Sequence, residues 1–330
     1  MRPQRRGDSF VRRHEKEKFV SQEEIKESKS ESKKLSLDDL LKLLFIGYDE
    51  NGTDEAKKQF GSTLSQYLKQ VFDGYEKLKN YNVIIHYDPS SITKGDSDSI
   101  YESVVTFDKN KPILDILYSR GGSGGTAYLI GKLFRENCED KIVVAVPRIA
   151  KSAATLLCCV ADEIHMGSLS ELGPIDPQFD DKPALGLKNA IEHLALLVKE
   201  NPESSSMFAQ YLHLSIDPIN LGYYERVAES SMQYAERLLN THKNRLSPDK
   251  IKKIAADLVY AYKDHGFVID KSEASEIFGA KIVKINTDEY KFSNDIYNTL
   301  NFIRRMSQYL NYQFYFIGSF DAEPTFRQKN

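Results

Sequence analysis

Between Val83 and Met166 the sequence alternates short apolar runs with segments of helical period, and this alternation constrains the fold more than any other feature. The runs VIIHY (Val83–Tyr87), PILDILY (Pro112–Tyr118), KIVVAVP (Lys141–Pro147) and Glu163–Met166 read as strands. Asp96–Phe107, Thr126–Glu136 and Ser152–Ala161 read as the helices between them, with the glycine cluster Gly121–Gly125 as a turn. Short apolar strands separated by helices predict an α/β fold with a mostly parallel sheet.

The flanking segments have a different texture. Residues 1–34 alternate basic and acidic side chains and hold few apolar ones, so they read as a charged mobile arm that cannot bury enough surface to offset its ordering entropy. Residues 35–80 read as a helical extension: Ser36 opens a capping box with Asp39, and after the Asn51-Gly52 turn Phe60, Leu64, Tyr67, Leu68, Val71 and Phe72 recur at helical spacing. That aromatic stripe is read as core or a subunit contact. Residues 81–285 form the α/β domain, helical from Ala184 to about Asn240, with a further helix at Ser272–Phe278 and a strand at Lys281–Ile285. Residues 286–330 supply a last helix, a short aromatic strand and a polar tail.

Composition excludes several classes. The 330 residues carry a formal net charge of −3, which gives no electrostatic case for nucleic acid. Cys138, Cys158 and Cys159 form no metal-ligand or disulfide framework and read as buried thiols. The longest uncharged apolar stretch, Ala153–Ala161, is far short of the ~20 residues that span a bilayer, and no apolar run follows the basic N-terminus as in a secretory signal. The expectation is a cytoplasmic protein without a membrane span.

Two segments can carry chemistry. Ser152 opens an apolar helix just past a strand, where open α/β sheets place ligands and where the helix N-terminus favours developing negative charge. The Gly121-Gly122 turn follows the neighbouring strand and lets backbone N–H groups approach a substrate. Together they can supply a nucleophile and an oxyanion hole. The glycines also permit a rival, because Gly122–Ala127 satisfies the dinucleotide pattern G-x-G-x-x-A. No carboxylate ends the next strand, however, and only Arg148 is there to meet a 2′-phosphate. A P-loop fails on spacing.

The pieces DILYSRGG (from Asp115), VVAVPRIAKSAATLL, ADEIHM and LGPIDPQ (to Gln178), in that order and spacing, resemble the serine-dehydrogenase-proteinase family, relatives of signal peptide peptidase A and the Clp protease proteolytic subunit. Weaker similarity runs from about Tyr81 to about Val283. The resemblance implies a ClpP/crotonase-type spiral of ββα units with added N-terminal and C-terminal helices, and a serine endopeptidase activity. It makes Ser152 the nucleophile and assigns the oxyanion hole to Gly121, Gly122 and the Ala153 N–H. It also implies a homo-oligomer acting on peptide or unfolded protein, with no cofactor and no metal.

The sequence leaves two candidates for the base, Lys188 and His265. Lys188 falls where the family carries a lysine, in an apolar setting (Leu185, Leu187, Ala190, Ile191) that favours a neutral amine. His265 lies in a segment where the family has a histidine, and Asp176 or Asp264 is its candidate orienter. Lys182 is flanked by Asp180 and Asp181, and Lys151 neighbours Ser152 on a diverging side chain. Arg120 stands where relatives usually have Pro, and Ala153-Ala154 replaces a common Gly-containing pair. Two other classes compete with the peptidase: a catalytically silent scaffold that binds peptides, and a crotonase-like acyl-CoA enzyme.

Overall fold

The computed structural model describes residues 34–176, 178–179, 182–215, 218–243 and 246–329. It divides into Met1–Ser36, nearly all of which lies outside the described residues, and the unit Leu37–Asn330. The expected charged arm, residues 1–34, therefore falls outside the described residues apart from its last position.

The unit is built on one mixed sheet. Strands β1 (Asn82–Asp88), β2 (Ile113–Ser119), β3 (Ile142–Val146), β5 (Glu163–Met166) and β9 (Val283–Ile285) run parallel in that spatial order. On the outer side of β1 the sheet continues antiparallel with β10 (Tyr312–Gly318) and β11 (Thr325–Gln328). The two-residue strand β4 (Ile149–Ala150) pairs with the end of β2 at Ser119↔Ala150 and with β6 (Glu171–Leu172), while β7 (Gln178–Phe179) and β8 (Lys182–Pro183) form a separate antiparallel pair.

Strand residues alternate between two cores, as the period of 2 requires. Val83, Ile85, Tyr87, Leu114 and Ile116 face a core completed by α1 (Leu37–Tyr48), α2 (Asp54–Asp73) and α11 (Asp288–Tyr309) through Leu40, Phe60, Leu64, Phe292 and Ile296. Ile84, Ile113, Leu117 and Val144 face the other. There α3 (Lys94–Val104), α4 (Gly124–Glu136), α5 (Ala153–Cys158), α8 (Pro218–Leu239), α9 (Pro248–Tyr260) and α10 (Lys271–Phe278) cover the sheet. Burial on both faces is why these strands read as nearly unbroken apolar runs. Phe60, Leu64 and Leu68 of the aromatic stripe are core. All three cysteines are free and buried.

Some boundaries differ from the sequence expectation, each for a local reason. Helix α4 starts inside the glycine cluster because Ser123 Oγ accepts from the Thr126 N–H at 3.2 Å. Helix α3 starts early, after Thr93, whose N–H donates to the Asp96 carboxylate at 2.6 Å. Helix α5 is shorter than Ser152–Ala161, since Cys159, Val160 and Ala161 turn away through N–H bonds to Leu156, Leu157 and Cys158. The tail is not merely polar: Thr325–Gln328 pairs with β10, and Phe326 stacks on Tyr48 with ring centroids 3.8 Å apart. The segment from Ala184 onward resolves into α6 (Ala184–Glu200), α7 (Ser205–Ser215) and α8.

Candidate active site

The carboxyl ends of β2 and β4 bring the chemistry-bearing residues together. Ser152, at the N-terminus of α5, holds φ 52° and ψ −118°, a conformation that L residues enter only when their surroundings impose it. What imposes it here is close packing against the turn after β2. Gly121 has φ 107°, and a Cβ there would lie 2.7 Å from both Ser152 Cβ and the Lys151 carbonyl oxygen and 3.1 Å from the Ala153 nitrogen. Only glycine lets the two turns meet.

The backbone donors are arranged by the same turn. Gly121 donates its N–H to Ser119 Oγ at 3.2 Å. Ile92 donates to the Gly121 carbonyl at 2.6 Å and accepts from the Ser123 N–H at 3.0 Å, forming a parallel bridge with Gly122. By strand alternation the Gly122 N–H therefore points away from Ile92, and Gly122 is exposed. The Ala153 N–H lies at the first turn of α5, where helices leave donors unpaired.

A second pair of segments faces this turn. Leu172 and Ile269 exchange N–H···O bonds of 2.9 and 3.1 Å, and the Ile175 N–H donates to the Leu258 carbonyl at 2.9 Å. These bonds set Asp176 beside His265. His265 Nδ1 lies 2.8 Å from Asp176 Oδ1, with Asp176 buried and His265 partly open. Asp264 is occupied locally, its Oδ1 accepting from the Gly266 N–H at 3.0 Å.

Ser152 and His265 line one cavity of about 560 Å³ with Gly121, Gly122 and Ala153. Leu156, Ile175, Val227 and Tyr234 form apolar wall, while Arg120, Gln178, Ser230 and Ser231 supply polar groups. Lys188 lies on α6, and its side chain is outside the described residues, as are Asp180, Asp181 and the side chain of Lys182.

Sequence reasoning missed the bracing around Ser152. The Lys151 ammonium contacts Glu171 at 2.9 Å and donates to the Phe267 carbonyl at 2.8 Å, so it ties β6 to the loop carrying His265. Thr155 Oγ1 donates to the Ala150 carbonyl at 2.6 Å and accepts from the Gly173 N–H at 3.0 Å. The cavity wall contributed by α8 also carried no motif. The only available signal was the cluster of small polar residues Ser230-Ser231 within an otherwise ordinary helix.

Other sequence candidates lie elsewhere. Arg148 donates to Asn294 at 2.7 Å and sits over the Tyr297 ring, so its guanidinium is engaged on α11 rather than held for a nucleotide phosphate. His165 bonds Thr287 Oγ1 at 2.7 Å within β5. Among the described residues, no group of three or more His, Cys, Asp or Glu is placed to hold a metal, and no helix is long and apolar enough to cross a membrane.

Curated relatives cover the chain only in part. The uncharacterized protein MJ0137 of Methanocaldococcus jannaschii is 26% identical over 186 residues, spanning 56% of this chain and 59% of that protein. The uncharacterized protein MJ1495 of the same organism is 31% identical over 99 residues, spanning 30% of this chain and 34% of that one. The chain thus matches less than two thirds of the length of either. Among solved structures, a mutant of the 1510-N membrane-bound stomatin-specific protease superposes with a TM-score of 0.40 at 13% identity, covering 66% of this chain and 84% of its own. ClpP1 from Listeria monocytogenes gives 0.37 at 15% identity, covering 65% and 98%. The model of the ClpP-like SDH-type serine proteinases matches residues 81–314, more than two thirds of the chain, and the protein belongs to that family.

Proposed function

We propose that this chain is a serine endopeptidase in which Ser152 is the nucleophile, His265 the general base and Asp176 the group that orients it. The observation that carries this reading is the shared cavity: it holds Ser152 in a constrained turn and His265 on a buried carboxylate 2.8 Å from its Nδ1. With Nδ1–H donated to Asp176, His265 presents Nε2 as the acceptor for the Ser152 proton. Ser152 Oγ attacks the peptide carbonyl carbon as that proton passes to Nε2. The resulting oxyanion accepts from the Gly122 and Ala153 N–H groups, with Gly121 holding the turn open. His265 then returns the proton to the leaving amine. Water, deprotonated by the same histidine, hydrolyses the acyl-enzyme.

The substrate in this reading is an extended peptide. Ile92 occupies one edge of the Gly121–Ser123 segment, which leaves the other edge for a substrate strand to pair with. Peptide or unfolded protein fits such an edge, and a homo-oligomer, as the family implies, would enclose it. No step calls for a metal or cofactor.

Hydrolysis of quenched-fluorescence peptides and of unfolded casein tests the assignment. Ser152→Ala should lower kcat/KM by at least about 10³-fold, and Asp176→Asn by about 10²- to 10⁴-fold with Tm little changed. Wild-type rates in a folded Ser152→Ala protein would remove Ser152 from the mechanism.

A further inference from the structure

Arg120 stands in the turn that follows β2, and its surroundings give it a chemical meaning. Arg120 lies between Ser119, the last residue of β2, and Gly121, whose Cα packs directly against Ser152. Its side chain is exposed and lines the same cavity as Ser152 and His265. Arg135, Arg148, Arg304 and Arg327 are each engaged, with Asp162, Asn294, Asn301 and the Tyr315 ring respectively. Arg120 makes no hydrogen bond or ion pair among the described residues. The neighbouring cation, Lys151, is already neutralised by Glu171 and turned onto the Phe267 carbonyl.

Among its described lining residues the cavity is therefore electrostatically lopsided. No carboxylate is among its described lining residues, and Asp176 lies behind His265, bonded to it. The unspent charge is the Arg120 guanidinium. A guanidinium is charged at every working pH and presents a planar fork that matches a carboxylate. Beside the segment on which an extended peptide would lie, it can reach a substrate group within a residue or two of the scissile bond.

We propose that Arg120 is a specificity-determining residue that makes this site select a carboxylate on the substrate. The inference rests on the peptidase reading for the identity of the ligand as a peptide, but not for the existence of the subsite. Two sources offer the same chemistry: an Asp or Glu side chain near the cleaved bond, or the C-terminal carboxylate of a short product or tail.

Binding to the uncleaving Ser152→Ala protein separates this proposal from the catalytic one. The probes are fluorescein-labelled octapeptides in matched pairs: a single Glu against Gln with an amidated C-terminus, and a free against an amidated C-terminus with no acidic side chain. Anisotropy should show one carboxylate pair binding about tenfold tighter than its neutral partner, with the ratio shrinking as salt rises. Which pair shows it identifies the source. Adding Arg120→Gln should bring that ratio to about one, and Arg120→Lys should keep part of it. Equal binding of acid and neutral partners in both pairs, or a preference that survives Arg120→Gln, would overturn the proposal. Hydrolysis is scored separately: if the wild-type chain cleaves none of these peptides yet the Arg120-dependent preference holds, the carboxylate subsite stands and the peptidase reading fails.

Discussion

Gly121 is a position where the site has no room for a side chain. Its φ of 107° excludes a Cβ on conformational grounds, and the space a Cβ would need is taken by Ser152 and the Lys151 carbonyl. Gly121→Ala should lower stability by about 1–3 kcal/mol from the backbone strain alone and push Ser152 out of register, abolishing its reactivity. Gly125 is the internal control: nothing lies within 4 Å of its Cβ position at the start of α4, so Gly125→Ala should stabilise by about 0.4–1 kcal/mol. Thermal unfolding of the two variants checks the contrast, and equal Tm values would refute the packing argument. At this scale Ser152 and the glycine turn were legible in the sequence because each sits in a local pattern, a strand end followed by small residues. The His265–Asp176 contact was visible only as one candidate among several. Its members are 89 residues apart, and no local pattern records which segments a bridge such as Leu172–Ile269 will join.

Among the elements, the short ones do the positioning. Strands β4 and β6 have two residues each, yet they hold Lys151, Glu171 and the Leu172–Asp176 segment against the end of β2. Such pairs have no readable period, which is why the long strands β1, β2, β3 and β5 were recognisable and these were not. Strand β11 escaped for a related reason: Phe326 is the only large apolar residue in Thr325–Gln328, and its strand state comes from pairing with the β10 edge. Lys151→Met keeps the packing over Gly173 but removes the ammonium that holds the Phe267 carbonyl. Freed of that tie, the His265 loop should show faster amide exchange at Phe267 and Val268, and kcat should fall by about 10- to 100-fold with KM little altered. Unchanged exchange and unchanged kcat would mean the bridge does not position the loop.

As a whole molecule, the protein places two unpartnered titratable groups inside the core between the sheet and α3–α5. Asp115 on β2 has no hydrogen-bond partner for either carboxylate oxygen among the described residues, and burial pushes its pKa up from 3.8 to about 8. His86 on β1 likewise lacks a partner at either ring nitrogen, and burial pushes it down from 6.5 to about 4, against the pull of Asp88. The native state thus keeps Asp115 protonated where the unfolded chain does not. Its contribution to stability is complete below about pH 4 and lost by about 1.4 kcal/mol per pH unit up to about 8. The His86 contribution has the opposite sign, present above about 6.5 and lost as pH falls toward 4. The two oppose each other between about 4 and 6.5, and above that Asp115 acts alone. Urea unfolding at pH 6.5 and 8 should show wild type losing about 2 kcal/mol more than Asp115→Asn. Identical losses would show that Asp115 is ionised in the fold. The central claim, a Ser152 nucleophile activated by His265, is tested most directly by treating the full chain with a fluorophosphonate probe and mapping the adduct by mass spectrometry. The predicted result is labelling at Ser152 that is lost in His265→Ala and kept in Lys188→Ala. Labelling lost in Lys188→Ala but kept in His265→Ala, or no labelling from neutral to alkaline pH, would contradict it.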